Sequence, residues 1–210
     1  MAISTESNEA IFKQYSAAVQ WMDDLGIKLN PGRISHYERI IRYWKDAYRT
    51  ASIEEWRQKG PDFLNSVFEV YDFVNIHKAF RDVAPNRIVS IVDKLQDGVN
   101  GPIYAADETP ESTRARNFLF EAIVAAKTNR PEKGMEAILD TGSDTGIQIA
   151  EKKIWVECKR VTTLDKIESN VRKASKQLQK IFDKEVGSRH RGIVAIEISN
   201  RPLKNQALSV

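Results

Sequence analysis

"KKIWVECKRV", residues 152–161, joins a strand-like apolar run to charged residues at its carboxyl end. Side chains alternate between the two faces of a strand, so Trp155, Glu157 and Lys159 are expected on one face, opposite to Cys158. Charged side chains are rarely buried unless they are paired. The stretch therefore allows two interpretations: a charge pair on a solvent-exposed edge strand, or a metal ligand beside a catalytic lysine.

The composition of the 210-residue chain is that of an ordinary globular protein, with 41% hydrophobic and 29% charged residues. No apolar run approaches the roughly 20 residues of a membrane-spanning helix. The first ten residues lack the charged and apolar regions of a signal peptide. The single cysteine cannot form an internal disulfide. These features favour a cytoplasmic protein with no membrane partner.

Charge is unevenly distributed along the chain, although its net value is only +3. Residues 1–110 carry 13 basic and 16 acidic side chains, whereas residues 111–210 carry 19 and 13. Within residues 152–191 there are 12 basic and 5 acidic side chains. This asymmetry favours a polyanion as partner of the carboxyl-terminal half. A lysine-rich, solvent-exposed helix face gives the same pattern without any partner.

Apolar residues recur at helical spacing through the amino-terminal half, so residues 1–111 are predicted to form an all-helical region. Ser52 begins a capping box for a short helix, which Gly60 and Pro61 are expected to end. The segment 100–112 is rich in turn-forming residues and is the predicted linker. Dimerisation, target recognition and partner docking are three open roles for the helical region.

The pattern changes after residue 111. A predicted helix is followed by three strand candidates, a second helix and a last strand. In chain order these elements are expected at residues 112–128, 134–140, 146–151, 153–161, 165–186 and 192–199. The order α-β-β-β-α-β predicts an α/β core at residues 112–210.

Asp144 lies 13 residues before Glu157, and the chain between them is predicted to form a hairpin that turns near residues 151–152. Such a turn pairs position 144 with 159 and position 146 with 157. Residues opposed across two strands lie about 5 Å apart, and diagonal ones about 7–8 Å. Asp144, Glu157 and Lys159 are therefore expected together at one end of the hairpin.

Two carboxylates at this separation suit a hard, oxygen-ligated cation such as Mg²⁺. The backbone carbonyl of Cys158 is a third candidate ligand that does not involve the sulfur. Glu121 is a fourth candidate, because it is the only charged residue in the apolar run at residues 118–126. On a helical wheel it borders the apolar face, so we expect it to point at the sheet.

The element order and the Asp, Glu-x-Lys spacing resemble the PD-(D/E)xK nuclease superfamily over residues 112–199. Holliday-junction resolvases and Mrr-like restriction enzymes are closest in pattern, because they also carry a Glu on the preceding helix. The resemblance implies a restriction-endonuclease-like core in which Asp144 and Glu157 bind Mg²⁺ with help from Glu121, and Mn²⁺ is an expected substitute. It also implies that Lys159 positions or polarises the attacking water.

The sequence departs from the family at one position, because Ser143 stands where the leading Pro of the motif is found. Asp140, 17 residues before Glu157, is therefore a rival metal ligand. The hairpin count favours Asp144. Asp140 precedes a turn-rich segment, in which an Asp side chain commonly bonds its own backbone.

Basic side chains follow one stripe of the helix predicted at residues 165–186, and more follow the helix. In the resembling family this helix flanks the active cleft, so these side chains are candidates for phosphate contacts. A solvated lysine face is the alternative interpretation. The candidate nucleic-acid contacts are Lys173, Lys176, Gln177, Lys180, Lys184, Arg189 and Arg191.

The sequence disfavours zinc sites, Cys–His nucleophiles and NTP hydrolysis. The three histidines have no metal-ligand spacing with one another or with Cys158, which disfavours zinc and a Cys–His nucleophile. A Gly-rich phosphate loop is lacking, which disfavours NTP hydrolysis. The predicted function is Mg²⁺-dependent hydrolysis of phosphodiester bonds, with DNA as the expected substrate and RNA not excluded. The alternatives are a non-catalytic nucleic-acid-binding or assembly protein with the nuclease fold, and a helical interaction protein.

Overall fold

The computed structural model describes residues 7–29, 31–109, 112–139, 143–161, 163–184 and 191–198. These ranges contain six α-helices and one four-stranded sheet. The helices are α1 (Asn8–Asp24), α2 (Arg33–Ala47), α3 (Ile53–Phe80), α4 (Val89–Gly98), α5 (Thr113–Thr128) and α6 (Ile167–Phe182). The strands are β1 (Met135–Ile138), β2 (Thr145–Ile149), β3 (Lys152–Arg160) and β4 (Arg191–Glu197).

The sheet has the order β1-β2-β3-β4. The first three strands are antiparallel neighbours, and β4 returns through α6 to pair parallel with β3. The predicted α/β class and the element order α-β-β-β-α-β from α5 onward are therefore confirmed. Within the described ranges, no helix is long and apolar enough to cross a membrane.

Both faces of the sheet are covered by helices. On one face, Val156 and Cys158 of β3 pack with Phe120 of α5. On the other face α6 comes so close that a Cβ atom at Gly192 would lie 2.7 Å from a methyl group of Leu178. Burial of both faces explains the continuous apolar run Ile154, Trp155 and Val156 in β3.

The register of the β2–β3 hairpin differs from the predicted one. Ile149 pairs with Lys152 and Gly146 with Trp155, so the pairings of position 144 with 159 and of 146 with 157 are wrong. The loop is two residues long and begins at Ala150, which has φ = 50°. Tight hairpin loops need such positive φ values and usually place Asn, Asp or Gly there, so Ala150 gave no signal. The shift is two residues, and each side chain keeps its predicted face.

α3 runs unbroken through residues 60–61, so the predicted end of a short helix at this Gly-Pro pair is wrong. A proline inside a helix costs about 3 kcal/mol because it removes a hydrogen bond and clashes with the preceding turn. Here both sides of the proline pack on Trp44: its ring centroid lies 4.1 Å from that of Trp56 and 5.2 Å from that of Phe63. These contacts hold both halves of the helix against one core.

One hydrophobic core joins the amino-terminal helices to α5. Leu119 and Ile123 of α5 belong to the same buried cluster as Trp44 and Phe73. Through its opposite side α5 contacts the sheet. The predicted division at residue 111 thus separates two chain segments that pack against each other through α5.

A chain of largely buried charges crosses this junction and ends at the partly exposed Glu197. Carboxylates and guanidinium groups alternate along it, in the order Arg33, Glu69, Arg116, Glu108, Arg160 and Glu197. At its centre the Arg160 guanidinium donates to both oxygens of Glu108, at 3.0 and 3.2 Å. Glu108 lies in the predicted linker, which is therefore anchored in the interior through a side chain only 4% exposed.

Asp72 of α3 is expected to make the stability depend on pH. Burial, together with the nearby charges of Glu69 and Glu197, raises the pKa of Asp72 from 3.8 to about 7. As the pH rises from 4 to 7 the unfolded chain ionises first, so the folded state loses stability over this window. We expect Asp72→Asn to be more stable than wild type by roughly 2–4 kcal/mol at pH 8, and not at pH 4.

Urea unfolding at the two pH values measures this difference. The control is Asp82→Asn, because the Asp82 side chain is 86% exposed. An equal effect of Asp72→Asn at pH 4 and pH 8 would contradict the assignment.

Candidate active site

The candidate site lies where β3 extends beyond the start of β2. β2 begins at Thr145, opposite Val156, whereas β3 continues to Arg160 beside β4. The N–H of Cys158 lies past the last pairing with β2 and donates to Asp144 Oδ2 at 2.6 Å. A buried N–H needs an acceptor, and the Asp144 carboxylate takes the place of a β2 carbonyl at this fork between the strands.

The Lys159 ammonium group contacts three oxygen-bearing groups. Its Nζ atom lies 3.1 Å from Glu157 Oε2 and 3.0 Å from the Cys158 backbone oxygen. It lies 3.6 Å from Asp144 Oδ2. These oxygens are the ones assigned to Mg²⁺ from the sequence, so the structure brings Asp144, Glu157, Cys158 and Lys159 together. The pairing of β2 with β3 is shifted by two residues from the predicted one, and this shift places Asp144 closer to Glu157.

Glu157 is the most deeply buried carboxylate of this cluster, with 1% of its side chain exposed. Burial raises its pKa, and the nearby Asp144 carboxylate raises it further, whereas Lys159 lowers it. A nearby cation such as Lys159 stabilises the charged form of a buried carboxylate. Burial also raises the pKa of the Cys158 thiol, which keeps the sulfur protonated and disfavours it as a nucleophile.

Glu121 joins the cluster through a residue that the sequence did not single out. Lys94 of α4 forms an ion pair with Glu121 Oε2, and its Nζ donates to the backbone oxygen of Asp144 at 3.0 Å. Burial raises the pKa of Glu121, Lys94 lowers it, and the Asp144 charge raises it. Lys94 lies 50 residues before Asp144 in an amphipathic helix, so no local pattern marks it.

A pocket of about 190 Å³ opens beside these groups. Its walls come from α5, the end of β3 and the first turn of α6. The lining residues are Asn117, Phe120, Glu121, Cys158, Lys159, Arg160 and Asn170. The two amides and the Arg160 guanidinium were also missed by sequence reasoning. The mixture of charged and amide groups suits a small polar ligand rather than an apolar one.

The oxygen atoms around Lys159 are of the kind that bind hard metal ions. Across the described part of the chain, no three His, Cys, Asp or Glu side chains are grouped so that they could hold a metal. Where β3 extends beyond β2, the available oxygens instead come from two carboxylates, Asp144 and Glu157, and from the Cys158 backbone carbonyl, all around the Lys159 ammonium group. Mg²⁺ is commonly held by one or two carboxylates and several waters. The set therefore fits a hard divalent cation once the ammonium moves aside.

The predicted nucleic-acid contacts lie on exposed surfaces. On α6 and just after it, the side chains of Lys173, Lys176, Gln177, Lys180 and Lys184 are exposed. The pocket lining includes Asn170 of this helix and not Gln177. Arg191 begins β4 opposite Ile154, whereas Ile196 is opposite Lys159, so Arg191 lies five residues along the strand from the cluster. Arg189 and Asp140 fall outside the described residues.

No protein-family model matches the chain, and neither a curated protein nor a solved structure matches it. A function has to be argued from the geometry of the site and from the chemistry of its residues.

Proposed function

We propose that the protein is a divalent-metal-dependent nuclease with a restriction-endonuclease-like core of the PD-(D/E)xK type. The observation that carries the proposal is the convergence of oxygens from Asp144, Glu157 and Cys158 around the Lys159 ammonium group. A charge pair on an exposed edge strand would not bury Glu157 to this degree. The antiparallel order of β1, β2 and β3 with a parallel β4 also supports the proposal.

In the proposed reaction the carboxylates of Asp144 and Glu157 and the Cys158 carbonyl would hold Mg²⁺ or, in its place, Mn²⁺. Such a cation would lower the pKa of a bound water and stabilise negative charge on the phosphate. Lys159 leaves the carboxylates and presents its ammonium group to the developing charge. Burial of Glu157 excludes water from its side of the site and strengthens these electrostatic interactions.

The charges of the cluster link substrate binding to the cation. Three carboxylates, from Asp144, Glu157 and Glu121, face the two ammonium groups of Lys94 and Lys159. With every group ionised the cluster carries a net charge of −1 and repels a phosphodiester. One divalent cation reverses the sign to +1, so polyanion binding is expected to require the metal.

DNA is the proposed substrate, and the basic excess of the carboxyl-terminal half supports a polyanion. The exposed lysines of α6 would add contacts to the phosphate backbone. The second candidate is a non-catalytic nucleic-acid-binding or assembly protein with this fold. One observation favours it: the carboxylates and lysines already largely neutralise one another in the structure.

Incubation of the purified protein with supercoiled, linear and branched DNA, in Mg²⁺ or in EDTA, tests the proposal. We expect cleavage of at least one form in Mg²⁺ and none in EDTA, and the susceptible form identifies the substrate class. DNA binding without cleavage in either Mg²⁺ or Mn²⁺ would contradict the nuclease proposal and favour the second candidate.

A further inference from the structure

Lys94 reaches the candidate site from the amino-terminal helical region. Its Nζ atom contacts Glu121 on α5 and the backbone oxygen of Asp144 just before β2. The side chains of Lys94 and Glu121 are 14% and 13% exposed, so the pair is largely removed from water. A surface pair linking two helices would not direct its ammonium group to a third segment, next to a candidate metal ligand.

We propose that Lys94 is a resident cation of the active centre, holding the position between Glu121 and Asp144 that a second divalent ion would take. It is a positioning residue, because it acts on the substrate only through these two neighbours. The inference rests on the proposed nuclease function and deepens it. It also changes the role expected for Glu121, whose carboxylate is occupied by Lys94 and is not free to bind the first ion.

The two lysines of the site divide the available oxygens between them. Lys159 contacts Glu157, the Cys158 carbonyl and the Asp144 carboxylate. Lys94 contacts Glu121 and the Asp144 carbonyl. Lys159 extends from the end of β3, next to Cys158 in the chain, and can swing away without disturbing a helix. Lys94 is fixed by the packing of α4 on α5, so we expect it to remain in place when a divalent ion binds.

Titration of Mn²⁺ into the full chain, followed by calorimetry, tests this role without reference to cleavage. Wild type is expected to bind one ion. Lys94→Met removes a positive charge beside the site and frees Glu121, so we expect a second bound ion or an affinity at least about tenfold higher. Lys94→Met/Glu121→Gln removes both members of the ion pair and should bind one ion again. Because it leaves no unpaired buried carboxylate, this double variant can still be tested if the single variant does not fold.

The matched control is Lys13→Met, which removes a 72% exposed ammonium group from α1 and should leave Mn²⁺ binding unchanged. Identical Mn²⁺ binding by wild type and a folded Lys94→Met would overturn the role of Lys94 and leave the nuclease proposal standing. Failure of both proteins to bind Mn²⁺ would overturn the proposed metal site, and this inference with it.

Discussion

Asp144→Asn is expected to lower the rate of metal-dependent DNA cleavage about 1000-fold or more while the protein stays folded. The Asn side-chain oxygen can still accept the hydrogen bond from the Cys158 N–H, which the carboxylate accepts at 2.6 Å. The substitution therefore keeps the contact that closes the strand fork and removes only the charge. Loss of a metal ligand costs several kcal/mol of transition-state stabilisation, which corresponds to this factor.

Cleavage rates and thermal unfolding of Asp144→Asn and of three further variants measure the prediction. Asp144→Ala removes both the charge and the hydrogen bond, so it should lose stability as well as activity. Asp46→Asn, at a 76% exposed side chain on α2, is the control and should behave as wild type. Asp140→Asn is expected to keep most activity, as the sequence predicts for the rival ligand. Near-normal cleavage by Asp144→Asn would remove Asp144 from the site.

Glu108→Gln is expected to lower the free energy of unfolding by about 3–5 kcal/mol, because it removes the negative charge of a buried ion-pair network and leaves the positive charges of its partners in place. Glu108 pairs with Arg116 and Arg160, and the side chains of all three are at most 7% exposed. The amide keeps one acceptor oxygen but has no charge to balance two buried guanidinium groups. Arg160 directly follows Lys159, the proposed catalytic lysine, so we also expect a drop in activity.

Urea unfolding measures this loss. Glu168→Gln is the matched control, because Glu168 and its partner Arg172 are both 75% exposed. Such a surface pair contributes less than about 1 kcal/mol. Similar values for the two substitutions would show that the buried network adds little to stability.

The predictions that the structure confirms depend on local periodicity. The α/β order of the carboxyl-terminal half follows from the change of apolar spacing after residue 111. The location of Glu157 and Lys159 on the same face follows from alternation along a strand. The predicted hairpin register was wrong by two residues, and a shift of two leaves each side chain on its predicted face. The loop at Ala150 could not be predicted because alanine gives no turn signal. The continuous helix α3 could not be predicted because packing on Trp44 outweighs the local preference of Gly-Pro to end a helix.

Contacts between segments distant in the chain could not be predicted from the sequence. Lys94 lies 27 residues from Glu121 and 50 from Asp144, and an amphipathic helix gives no indication of where its lysines point. The segment at residues 100–112 has the composition of a linker, yet Tyr104 in it donates a hydrogen bond to Asp62 at 2.9 Å. Charged residues such as Glu108 normally indicate surface, so their burial in a network has to be seen in three dimensions.

Cleavage of supercoiled plasmid by wild type and by Glu157→Gln, each in Mg²⁺ and in EDTA, decides whether this cluster hydrolyses phosphodiester bonds. Glu157→Gln keeps the size of the buried side chain and removes its charge, and Glu136→Gln at an exposed position of β1 is the control. We predict that wild type and the control convert the plasmid to nicked or linear forms in Mg²⁺ only, and that Glu157→Gln leaves it intact. Equal cleavage by Glu157→Gln, or cleavage that persists in EDTA, would contradict a metal-dependent active site at the end of β3.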